Sequence, residues 1–147
     1  MALGTMNYKR FYEELFREVE ARFGDLDEAT LTAIVGFSAG GPVSLCTIVE
    51  RGICATCELA AYAEQHPSAE GLRFELLSTG DFPIDWCRAV FSALGGLSME
   101  TSLGHGHTGD ISTVVDEGDP ITRVRLELFS TADFEGERYG VYRVAPL

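Results

Sequence analysis

The stretch Thr30-Leu31-Thr32-Ala33-Ile34-Val35-Gly36-Phe37-Ser38-Ala39-Gly40-Gly41-Pro42-Val43-Ser44-Leu45-Cys46-Thr47-Ile48-Val49 decides how this chain folds. Thr30 to Phe37 is rich in β-branched residues and reads as a strand. Ser38 to Pro42 is a glycine- and proline-dense turn. Val43 to Val49 reads as a second strand, and Arg51-Gly52 turns the chain again. Strand, turn, strand is the grammar of an antiparallel sheet, not of an alternating β-α-β layer.

Working outward, the same pattern recurs. Cys54 to Ala63 reads as a strand or a short helix: Glu58-Leu59-Ala60-Ala61 favours helix, whereas the alternation of Cys57, Leu59 and Ala61 with Thr56, Glu58 and Ala60 favours the strand taken here. Leu72 to Ser78 alternates Leu72, Phe74 and Leu76 with Arg73 and Glu75, so it reads as a strand. Ile111 to Val115 reads as a short strand, Thr122 to Phe129 as a half-buried one, and Tyr139 to Val144 as the last. Two helices interrupt the series. Tyr8, Phe11, Tyr12, Leu15, Phe16, Val19 and Phe23 fall on one helical face, with Asn7 as N-cap and Gly24 as the stop. Pro83 opens a second helix with Asp81 and Asp85 near its positive end, and Gly95-Gly96 closes it. The expected fold is α+β: a mixed or mostly antiparallel sheet packed by an N-terminal helix (1–24) and a second helix (83–94) inserted in the sheet region (30–147). Residues 1–147 are read as one domain.

Eleven basic residues stand against 23 acidic ones, a formal net charge of −12. Phosphate recognition needs a basic face, so this balance argues against nucleic acid and anionic membranes and favours a basic partner. No apolar run approaches a membrane span, and the N-terminus has no cationic region followed by an apolar one. The expectation is a cytoplasmic protein whose Cys46, Cys54, Cys57 and Cys87 are reduced thiols packed as small apolar groups.

Several motifs suggest chemistry. Gly36-Phe37-Ser38-Ala39-Gly40 matches the G-x-S-x-G elbow of serine hydrolases, with Asp81 or Asp85 and then His105 or His107 in the right order to complete a triad. The elbow must lead into a helix, whereas Pro42 to Val49 reads as strand. Helix there favours a hydrolase and strand favours a binding module. Gly104-His105-Gly106-His107-Thr108-Gly109 matches G-x-G-x-x-G, but no apolar strand precedes it and no helix follows, so it reads as a glycine-rich loop. Cys54, Cys57, His105 and His107 carry the ligand types of a zinc site, provided that both cysteines reach the distant loop. Residues three apart on a strand face opposite sides, which opposes that convergence. No acid–base pair stands out among the carboxylates, and no cofactor is implied.

From about Val35 onward the order of features resembles the suppressor-of-fused (SUFU) domain. Gly36-Phe37-Ser38 followed by Pro42 looks like that family's early strand and turn. Phe74-Glu75-Leu76-Leu77 resembles its acid-plus-aliphatic strand, and Asp85-Trp86 followed by Val90-Phe91-Ser92-Ala93-Leu94 is similar to its tryptophan-bearing helix. Leu103-Gly104-His105 and Gly106-His107-Thr108 each resemble its Gly-His-Thr loop. Ile121 to Phe129 looks like its late aliphatic strand, and Val144-Ala145-Pro146-Leu147 like its Pro-Leu close. The resemblance implies a mixed sheet flanked by helices and a non-enzymatic binding module. In animals the family member restrains a transcription factor with the help of a second domain, a site not carried over to a chain read as one domain. Bacterial members often stand alone, and some sit beside secreted toxins as immunity-type proteins. On that reading the candidate contact residues are Trp86, His105, His107 and Asp110, presented by a loop beside a helix. The partner is a protein, with a homodimer through an unpaired edge strand left open.

Overall fold

The computed structural model describes residues 8–26, 33–36, 42–48, 51–80 and 82–147. Two short helices, α1 (Tyr8–Leu15) and α2 (Arg17–Phe23), lead into seven strands. These are β1 (Ala33–Gly36), β2 (Pro42–Ile48), β3 (Ile53–Cys57), β4 (Arg73–Ser78), β5 (Thr108–Asp110), β6 (Arg123–Phe134) and β7 (Glu137–Pro146). A 3₁₀ turn, Leu59–Ala61, follows β3, and the long helix α3 (Ile84–Ser98) follows β4. All seven strands join one sheet in the order β1-β2-β3-β4-β7-β6-β5. Neighbours are antiparallel except β4 and β7, which run parallel with Glu75 opposite Val141. The expected α+β class with a mixed sheet is what the chain adopts.

The sheet is covered on both faces. Alternation sends Leu45, Cys54, Phe74, Leu76, Tyr142 and Val144 toward α3, where Cys87, Val90, Phe91 and Leu94 meet them. The opposite set, including Cys46, Ile48, Ala55, Leu77, Tyr139 and Val141, packs under Phe11, Leu15, Phe16 and Val19. Because β4 lies inside this sandwich, five of its six residues are buried. Phe11 makes edge-to-face contacts with Tyr139 at 4.7 Å and Phe134 at 5.4 Å, so helix and late hairpin share one aromatic cluster.

Some expectations need correction. The single N-terminal helix (1–24) is two helices broken at Phe16, although the apolar stripe continues unbroken across the break. Gly24 does end it, with φ at +104°. The second helix runs past Gly95-Gly96 to Ser98. Gly95 and Ser98 are buried, and the Ser98 carbonyl accepts a bond from His66 N–H at 2.8 Å, so packing outweighs the cost of about 1 kcal/mol per helical glycine. The strand expected from Cys54 to Ala63 stops at Cys57, where Glu58 takes a left-handed conformation and the 3₁₀ turn begins. The strand expected at Ile111 to Val115 is instead a turn closed by Val114 and Val115 N–H on the Ile111 carbonyl, and β5 lies just before it. Cys46 and Cys57 are not free thiols but a disulfide, a diagonal pair on the α1 face of the β2–β3 hairpin. The proposed N-cap Asn7, the Ser38 turn and Asp81 lie outside the described residues.

Candidate functional site

Pro42–Ile48 is a strand, β2, paired along its length with β3. The helix that a nucleophile elbow needs after its serine is therefore replaced by an antiparallel partner. Ser38 itself lies outside the described residues. The zinc reading fares no better in space. Cys57 is bonded to Cys46, whereas Cys54 faces the other side of the sheet and is buried with Cys87 in the α3 core. Among the described residues, no group of three or more His, Cys, Asp or Glu converges as a metal would require. Contact with Cys87 and burial push the Cys54 thiol far up, and the same contact lowers Cys87.

The glycine-rich loop is a structural splice. Gly106 N–H donates to the Leu126 carbonyl and Leu126 N–H donates to the His107 carbonyl, which extends the sheet edge beyond β5. His105 Nδ1 accepts from Leu128 N–H at 2.9 Å, and His105 N–H donates to Glu70 Oε1 at 2.9 Å. That Glu70 oxygen also accepts from Tyr142 at 2.6 Å, and this bond holds the Glu70 carboxyl below its ordinary range. A Cβ on Gly104 would stand 2.6 Å from the Ala69 side chain, so only glycine allows this approach. His107 is exposed, and the Asp110 carboxyl is held below its ordinary range by the Ser112 hydroxyl and by Ser112 N–H, which donates to its Oδ1 at 2.8 Å.

Trp86 sits elsewhere. It is 8% exposed and stacks on Phe82 with ring centroids 4.1 Å apart. Together they form one side of a surface cleft of about 510 Å³, between the start of α3 and residues 114–121. Val114, Val115 and Ile121 supply the apolar side opposite, and Asp85, Asp116 and Asp119 also line the cleft. Among the described residues, no Lys, Arg or His lines it. Trp86 Nε1 is buried without an acceptor among the described residues, an uncommon state for a buried donor. Val114 at 37% and neighbouring Ile84 at 44% are large apolar groups left in solvent. Of the four expected contact residues, only Trp86 lines this cleft; His105, His107 and Asp110 do not. Sequence reading missed Asp116 and Asp119, although their signal was present: an acidic loop closed by Pro120 directly after buried Ile111.

It also missed Glu75. Its carboxylate is fully buried, with Tyr12 and Thr56 hydroxyls and the Leu59 and Ala60 N–H groups donating to it at 2.7–3.1 Å. Burial pushes its pKa up to about 7, against these four donors, which favour the anion. The group is sealed under α1 and the 3₁₀ turn and acts as a structural knot. A second, smaller depression of about 350 Å³ lies between α2 and β6, where Arg143 is engaged by Thr79 and Glu127 at 2.8 Å each. Comparison of the chain with family models, with curated proteins and with solved structures finds no match.

Proposed function

We propose that this chain is a non-enzymatic protein-binding domain that docks a basic partner, in the manner of an immunity-type protein restraining a basic toxin. The observation that carries the reading is the Trp86–Phe82 cleft. It combines a nearly buried tryptophan, exposed Val114 and an acidic lining, the composition of a contact patch with an aromatic anchor. The net charge of −12 supports the same direction, because it steers a cationic partner and repels nucleic acid. The suppressor-of-fused resemblance of the sequence supports a binding role in place of catalysis. On this reading the protein is bacterial, and the partner is a second protein rather than another copy of itself.

The test is affinity capture from the source cell followed by cross-linking. The reading expects a captured basic protein cross-linked to 82–89 and 114–121, and its loss in a Val114→Glu variant that keeps wild-type stability. Cross-links confined to the β1 or β5 edge, or to a second copy of this chain, overturn it.

A further inference from the structure

We infer that the cleft recognises an extended peptide segment in which arginine side chains flank an apolar residue. The inference rests on the reading of the cleft as the docking surface and names its occupant. Two features select this chemistry. The lining is apolar where Trp86, Val115 and Ile121 meet, so an aliphatic side chain gains by leaving water there. Asp85, Asp116 and Asp119 share that lining with no base among them, so the site holds negative potential that nothing in its own walls neutralises. The nearest ion pair, Asp85 with Arg88, is long at 3.4 Å and both side chains are exposed, so it competes weakly. Asp119 caps Ile121 N–H through Oδ1 at 2.9 Å, which fixes that carboxylate at the cleft rather than letting it swing away. The planar, forked guanidinium suits such carboxylates better than a lysine ammonium does.

Trp86 is the only tryptophan, so its emission reads the cleft directly. The probe is an acetylated, amidated hexapeptide with two arginines flanking one leucine, titrated beside its citrulline analogue, which has the same shape without charge. The arginine peptide should shift Trp86 emission saturably. The citrulline peptide should bind about tenfold more weakly, and so should the arginine peptide on an Asp116→Asn/Asp119→Asn double variant. Asparagine keeps an oxygen for the Ile121 cap, so this variant retains the loop, and unchanged emission without peptide confirms it. Equal binding of the two peptides, or full binding to the double variant, overturns the cationic occupant but leaves the cleft as a docking surface. No saturable shift with the arginine peptide up to millimolar concentration also overturns the inference. Cross-links outside the cleft, in the capture experiment above, overturn the underlying reading.

Discussion

The Tyr12 hydroxyl donates to Oε2 of Glu75 at 2.8 Å, a bond between residues 63 apart in sequence that fastens the first helix to a central strand. The same hydroxyl accepts from Glu58 N–H, and Thr56 completes the cluster where β3 and β4 part. There the Thr56 oxygen accepts from Leu76 N–H at 2.8 Å, in place of a ladder bond. One buried carboxylate thus joins α1, β3, β4 and the 3₁₀ turn.

That arrangement predicts an unusual pH dependence. The Glu75 carboxyl, at about 7 when folded and 4.5 ordinarily, keeps its proton in the folded state after the unfolded chain has lost it. Folding takes up a proton in this window, so stability is fully present below about pH 4.5 and falls as pH rises toward 7. The loss from this group is at most about 3 kcal/mol. Glu70 and Asp110, held low by Tyr142 and Ser112, act oppositely at the acid end, where their contribution is lost as pH falls. Urea unfolding at about pH 5 and about pH 8 measures the Glu75 effect. Glu75→Gln should flatten the difference, and an unchanged slope in that variant refutes the assignment.

The cysteines divide by face. Denatured, unreduced protein should take up alkylating reagent at Cys54 and Cys87 alone, and at all four cysteines after reduction, as read by intact mass. Reduction, or a Cys46→Ala/Cys57→Ala pair, should cost about 2–3 kcal/mol, the loop-closure value for so short a span. Four reactive thiols without reductant would show that the bond is not formed.

The two loop histidines should behave differently. His105→Ala removes the acceptor of Leu128 N–H and should cost about 1–2 kcal/mol. His107→Ala, at an exposed position, should change stability by less than about 0.5 kcal/mol. Equal effects on the urea midpoint would remove the structural role given to His105.

Gly80 controls the aromatic pair from behind. A Cβ there would lie 2.3 Å from the Phe82 ring, so Gly80→Ala must displace Phe82 from Trp86. The expected result is a red-shifted Trp86 emission and a loss of about 1–3 kcal/mol. Wild-type emission in this variant would show that Phe82 does not hold the tryptophan in place.

The strands were legible because alternation reports which face a residue takes: Phe74 and Leu76 do face one core. Alternation does not report whether the other face is wet, and Glu75, on the face opposite Phe74 and Leu76, lies buried under α1. A period of two cannot distinguish solvent from a second layer. Glycine likewise signals a helix end only where nothing packs beyond it, and Ser98 packs beyond Gly95-Gly96. The disulfide escaped because Cys46 and Cys57 become neighbours only through strand register. Trp86 could be singled out as a candidate by its type. Asp116 and Asp119 were legible as an acidic loop but not as its companions, since they reach it only after the chain has returned from β5.

The parallel β4–β7 pair carries a consequence for how the molecule is made. β7 occupies the slot between β4 and β6, so the strands synthesised first cannot close their sheet until β7 itself has left the ribosome. Until then β4, with Phe74, Leu76 and Leu77, is an open edge of the sheet. Completion is governed by a contact spanning about half the chain, which predicts slow folding and a nascent stage in which that flank invites other chains.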